Sequence, residues 1–162
     1  DWGPMLGNNA NGFFPYTPAT NLLFGLEEAL KMLLDEEGLP QVFARHQRHA
    51  KATRIAVEHW GLEVLCQVEE EHSPVLTGVL LPDEHDADHV RNVILDKFDM
   101  SLGTGLGKIK GKVFRIGHLG HLNDLTLMGT LSGVEMGLTL AGVQIKAGGC
   151  QAAMDYLRET AD

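Results

Sequence analysis

The spacing of apolar positions changes twice along the chain, and the changes outline its elements. Leu22, Leu23, Leu26, Leu30, Leu33 and Leu34 recur at helical spacing, with Glu27 and Glu28 off that stripe. Thr17-Pro18 just ahead reads as a helix start, Thr17 as N-cap and Pro18 at the first helical position, with a stop near Gly38. The residues before it are dense in breakers: Gly3-Pro4, Asn8-Asn9, Gly12, Pro15 and Pro18 predict an irregular segment over 1–18. A second helix is expected from about Pro40 to His59, closed by Gly61. The period then shortens. Leu62–Cys66 and Val75–Leu81 read as strands, Asp86 caps a helix over 87–98, and Met100–Leu102 and Lys112–Gly117 read as two more strands. Asn123 or Asp124 caps a helix to about Leu140, with Leu127, Leu131, Val134 and Leu138 on one face, and 149–159 can form a last short helix.

The order α-α-β-β-α-β-β-α predicts an α+β class, helices covering one face of a sheet. At 162 residues the chain has one domain's length and can bury a proper core. Its 13 basic and 22 acidic residues, net −9, argue against a general nucleic-acid or anionic-membrane surface. From Trp2 to Leu26 nothing is charged, yet three prolines and several asparagines interrupt the run, so it does not read as a membrane span. Cys66 and Cys150 form no CxxC pair and suit a reducing compartment. The start at Asp1, without a leader-like segment, suggests a piece of something longer, and the ending Thr160-Ala-Asp162 is no peroxisomal address, so a cytoplasmic setting is expected.

Candidate chemistry concentrates in Gly103-Thr-Gly-Leu-Gly-Lys-Ile-Lys-Gly-Lys-Val-Phe-Arg115. Between Asp99 and Asp124 there is no acid, while Lys108, Lys110, Lys112 and Arg115 stand among glycines that let backbone amides approach a ligand. Either a small anion or an exposed hairpin with solvated lysines would produce that pattern. It is not a P-loop, since Leu102 stands where glycine is needed and Ile109 follows the lysine. Arg115 differs from the lysines because it alternates with Phe114 and Ile116, so its guanidinium needs a carboxylate, from a ligand or from the protein itself. The pairs His85/His89 and His118/His121 lack a third ligand and predict no metal site. Cys66, ending an apolar run, reads as a buried small hydrophobe.

Phe13-Phe14-Pro15-Tyr16-Thr17-Pro18-Ala19-Thr20-Asn21-Leu22-Leu23 followed by Leu26-Glu27-Glu28-Ala29-Leu30, then Arg45-His46, Phe98-Asp99 and Lys112-Val-Phe-Arg-Ile-Gly117, resemble in their order the class V aminotransferases. Within that family the likeness is to the glyoxylate aminotransferases that take serine or alanine as amino donor, and it covers about Gly12 to Leu140. The resemblance implies the C-terminal portion of a fold type I enzyme that uses pyridoxal phosphate, is a homodimer and acts on small amino acids and keto acids. It also implies a small α+β domain whose antiparallel sheet is covered on one face by helices. Residues 1–38 would belong to the large-domain and dimer-interface side, and 39–162 would form a long linking helix and the small domain. By the same resemblance Thr17 contacts the cofactor phosphate of the other subunit and Arg115 binds the substrate α-carboxylate. The family's cofactor-linking lysine, ring-facing aspartate and stacking aromatic would all precede this segment, so no catalytic residue is expected here and the chain alone should be inactive. Phe14 stands where some relatives carry a phosphate-contacting tyrosine. Apart from transfer of an amino group from serine to glyoxylate, giving hydroxypyruvate and glycine, the alternatives are an alanine donor and a non-enzymatic carboxylate-binding or dimerisation module.

Overall fold

The computed structural model describes residues 2–161; Asp1 and Asp162, the outer ends of the two expected segments, lie outside the described residues. The chain divides into two compact units, Asp1–Val42 and Phe43–Asp162.

In the first unit, α1 (Trp2–Asn9) replaces the irregular start. The breakers fall where a short helix tolerates them: Pro4 sits in the first turn, whose amide has no intrahelical partner. The asparagines serve the helix, Asn8 Nδ2 donating to Pro4 O at 2.8 Å and Asn11 Nδ2 to Gly7 O at 3.3 Å. The helix expected from Pro18 begins later, as α2 (Thr20–Lys31), with Ala19 at the N-cap and no capping side chain, so Thr17 is not the cap. Ala19 has ψ 72°, outside the helical range, and its carbonyl accepts from Leu22 N and Leu23 N, so the first helical turn starts beyond it. A π-helical turn, Met32–Glu37, continues α2 to Gly38, whose φ of +85° ends it as expected. None of these helical residues is buried, although Trp2, Leu6, Leu22, Phe24 and Leu26 are among them.

Helix α3 (Leu39–His59) closes at Gly61, where Gly61 N donates to Glu58 O and Leu62 N to Val57 O. The second unit then builds an antiparallel sheet in the order β1-β2-β4-β3, from β1 (Glu63–Val64), β2 (Leu76–Leu80), β3 (Gly103–Thr104) and β4 (Val113–Gly117). Around it stand α4 (Ala87–Phe98), α5 (Asp124–Leu140) and α6 (Gly149–Glu159). Thr77 pairs with Ile116 and Val79 with Phe114, so one sheet face carries these four buried side chains. Val79, Phe114 and Ile116 join Trp60, Ile94, Leu127, Leu131 and Leu138 in one core, which gives the expected α+β arrangement. Two strands are shorter or shifted. Leu62 packs in the core, leaving only Glu63–Val64 to pair, and the strand expected at Met100–Leu102 forms instead at Gly103–Thr104. Leu102 is itself buried, and its carbonyl accepts Arg91 Nε at 2.8 Å rather than a strand partner.

Polar clamps fix the helices. Arg48 on α3 binds both oxygens of Asp124, at 2.6 and 2.8 Å, and also donates to Leu157 O and Thr160 Oγ1. Asp124 is the first residue of α5, where the helix dipole favours a carboxylate, and the Arg48 hydrogen bonds hold its pKa below the usual range. Asn123 supplies the cap, accepting from Thr126 N, as Asp86 does for α4 from Asp88 N.

Candidate functional site

Strand β4 places Arg115 on the sheet face opposite the core, between two glycines: its cross-strand partners are Gly78 on β2 and Gly103 on β3. The alternation that buries Phe114 and Ile116 completely leaves Arg115 half-buried. Its side chain lies over Gly103, where a Cβ would come within 3.0 Å of Arg115 Cβ and 3.1 Å of Nε. Over Gly78 it is Leu65 that leans in, at 3.2 Å from the same construction. Arg115 Nε is buried with no hydrogen-bond partner, and no ion pair or hydrogen bond engages the guanidinium among the described residues. The internal carboxylate that could have explained this arginine is therefore not among its contacts. A half-buried guanidinium with no partner is costly unless an anion completes it.

The segment that follows Arg115 is held from α3. Arg45 Nη1 donates to Gly120 O at 2.8 Å and Leu122 O at 3.2 Å, and Gly120 N donates to His46 Nε2 at 3.2 Å. His118 is buried between Pro74 O, 3.1 Å from Nδ1, and Thr77 Oγ1, 2.9 Å from Nε2. A carbonyl can only accept, so Nδ1 carries the proton and Nε2 accepts from the threonine hydroxyl. Burial pushes the His118 pKa down to about 4, so the ring stays neutral and structural. No group of His, Cys, Asp or Glu among the described residues is disposed to hold a metal ion.

Part of the glycine-rich stretch is bonded to itself: Gly105 N donates to Val113 O, Lys110 N to Gly107 O and Lys112 N to Ile109 O. Gly107 and Gly111 take positive φ, +55° and +73°, to make that turn. Lys110 and Lys112 line an open depression with Asp83, Glu84, Asp86 and Asp88, so acids from the loop before α4 offset them. The absence of acids in sequence between 99 and 124 did not reveal this, because the neutralising charges come from another segment. Cys66 is half-buried rather than buried, its thiol 3.4 Å from Val68 O, because the pairing of β1 stops short of it.

Thr17 lies in the first unit, three residues before α2, exposed and without a hydrogen-bond partner among the described residues. With no side chain capping α2, the threonine hydroxyl and the helix start both suit an anionic group such as a phosphate. Arg115 lies in the second unit. Three features went unread in the sequence: the glycine bed of Arg115, the Arg48–Asp124 clamp, and Glu135. The only advance signal for the first was glycine inside strand patterns, which marks close approach of another group.

The chain matches no family model. It is 44% identical over 160 residues to serine–glyoxylate aminotransferase of Methylorubrum extorquens, and 46% identical over 160 residues to that of Arabidopsis thaliana. These matches take in 98% of this chain and 40% of each relative, so the chain spans about two-fifths of their length. The crystal structure of ureidoglycine–glyoxylate aminotransferase from Bacillus subtilis superposes with a TM-score of 0.81 at 32% identity, over 89% of this chain and 37% of that one.

Proposed function

We propose that this chain, which belongs to the aminotransferase family of these glyoxylate-using relatives, forms the substrate-carboxylate end of an enzyme that moves the amino group of serine to glyoxylate. The reading takes the segment as the C-terminal portion of a class V transaminase in the cytoplasm, residues 1–38 on the large-domain and interface side and 39–162 carrying the linking helix and small domain. Pyridoxal phosphate, when bound, supplies the electron sink for the amino transfer. This chain's part is to receive and orient. Arg115 holds the α-carboxylate of amino donor and keto acceptor in turn, so one cation serves both half-reactions. Thr17 offers its hydroxyl to the cofactor phosphate of the partner subunit. Helices α1 and α2 of the first unit, apolar and without a buried residue, favour a homodimer. No helix among the described residues is long and apolar enough to cross a membrane.

One observation carries the proposal: the half-buried guanidinium of Arg115 has no partner among the described residues. Arg115→Lys keeps the charge but loses the planar fork. In the full-length protein it is expected to raise KM for amino donor and keto acceptor together while the melting temperature holds. Arg115→Ala should lower kcat/KM by on the order of 3–5 kcal/mol, as when one member of a buried charge pair is removed. Unchanged Michaelis constants with a lowered melting temperature would show instead that Arg115 supports the fold.

A further inference from the structure

We infer that Gly103 is a positioning residue for the Arg115 guanidinium, a role that rests on the carboxylate-binding reading of Arg115. Glycine inside a strand calls for a reason, and here backbone conformation is not one. Gly103 is absent from the glycines with positive φ, so its backbone is open to any residue. What it lacks is room. A Cβ at 103 would lie 3.0 Å from Arg115 Cβ, 3.1 Å from Nε and 3.5 Å from Cζ. The arginine side chain thus runs across β3, the edge strand of the sheet, with Nε buried over Gly103. The other cross-strand neighbour, Gly78, does a different job. A Cβ there would meet Leu65 and Val113, not Arg115. Of the two cross-strand glycines, Gly103 is the one that lies against the arginine.

The consequence is geometric. Carboxylate recognition by a planar fork depends on the plane and direction of the guanidinium, and a methyl at 103 would push the side chain aside by a few tenths of an ångström. Because β3 is a two-residue edge strand, the sheet can yield to an added methyl while the arginine is displaced.

The test compares Gly103→Ala, Gly78→Ala, Arg115→Lys and the Gly103→Ala/Arg115→Lys pair in the full-length protein with its cofactor. Acetate serves as a dead-end carboxylate probe. Gly103→Ala is expected to raise both Michaelis constants and the acetate inhibition constant about tenfold, as small misplacements of a binding group do, with kcat within about twofold of the parent. Gly78→Ala should leave the acetate constant unchanged. In the Arg115→Lys background, which has no planar fork left to misalign, Gly103→Ala should add little to the loss. If Gly103→Ala alone does not fold, recovery of folded protein in the Gly103→Ala/Arg115→Gly pair, which removes every atom that the methyl meets, supports the steric link, and failure of that pair where Arg115→Gly alone folds overturns it. Unchanged Michaelis constants, a loss in kcat or melting temperature alone, or an equal loss in the Arg115→Lys background would each overturn the role of Gly103 and leave Arg115 standing. If Arg115→Lys itself behaves as the parent, the carboxylate reading falls, and the role of Gly103 with it.

Discussion

Glu135 shows how much one side chain can organise without touching the candidate site. From α5 its carboxylate accepts Trp60 Nε1 at 2.8 Å, Gly148 N at 3.0 Å and Cys150 N at 2.8 Å. It thereby caps α6, whose own N-cap, Gly148, has no side chain. Burial opposes the charge, but the donors outweigh it and hold the Glu135 pKa at about 2. The same surroundings, burial first and the Glu135 charge next, push the Cys150 thiol up to about 12, so that cysteine is inert. A folded pKa below the unfolded value means stability that is present above the unfolded pKa, near 4.5, and lost as pH falls toward 2. Glu135→Gln should therefore cost roughly 1–3 kcal/mol at pH 7 by denaturant unfolding, and the difference from the parent should shrink between pH 4.5 and 2. A difference independent of pH would assign the loss to geometry rather than charge.

Helix packing turns on two glycines of α5, Gly133 and Gly137. A Cβ at Gly137 would lie 2.1 Å from Ile94 Cγ1, a buried branched side chain of α4 that has nowhere to go. At Gly133 the nearest atom is the end of Met100, 2.8 Å away and able to swing. Alanine gains about 1 kcal/mol of helix propensity over glycine at either position. At 137 overpacking of roughly 1–3 kcal/mol should exceed that gain, whereas at 133 the gain should survive. Gly137→Ala is thus expected to lower the melting temperature and Gly133→Ala to hold or raise it. The opposite order would mean that α4 and α5 can slide apart freely.

For the whole molecule the open question is assembly, because the chain spans about two-fifths of the relatives it matches. Helices α1 and α2 of the first unit bury none of their residues, and Thr17 stands exposed beside them in sequence. If Thr17 serves the phosphate of the partner subunit, Thr17→Ala in the full-length protein should weaken cofactor affinity by roughly 1–3 kcal/mol, measured by cofactor titration. Hybrid dimers decide the geometry: one Thr17→Ala subunit should impair the site of its partner. Impairment of its own site would end the proposal that Thr17 acts across subunits.

Local rules were readable in the chain wherever one segment settles the matter. The alternation of Phe114, Arg115 and Ile116 announces a strand with one apolar face, and Asp86 and Asn123 cap the helices they precede. Gly38 and Gly61 end helices where positive φ is needed. Reading failed where the outcome depends on a distant partner. The start of α1 was hidden by breakers that a first turn tolerates, and β3 moved to 103–104 because burial of Leu102 and its bond to Arg91 outweighed local strand preference. Lys110 and Lys112 of the glycine-rich turn face acids that the loop before α4 brings to them, which their own segment does not show. Whether Arg115 had an internal carboxylate, and that its side chain lies against Gly103, could be decided only by tertiary structure. Strand pairing, not sequence distance, sets which groups surround a side chain.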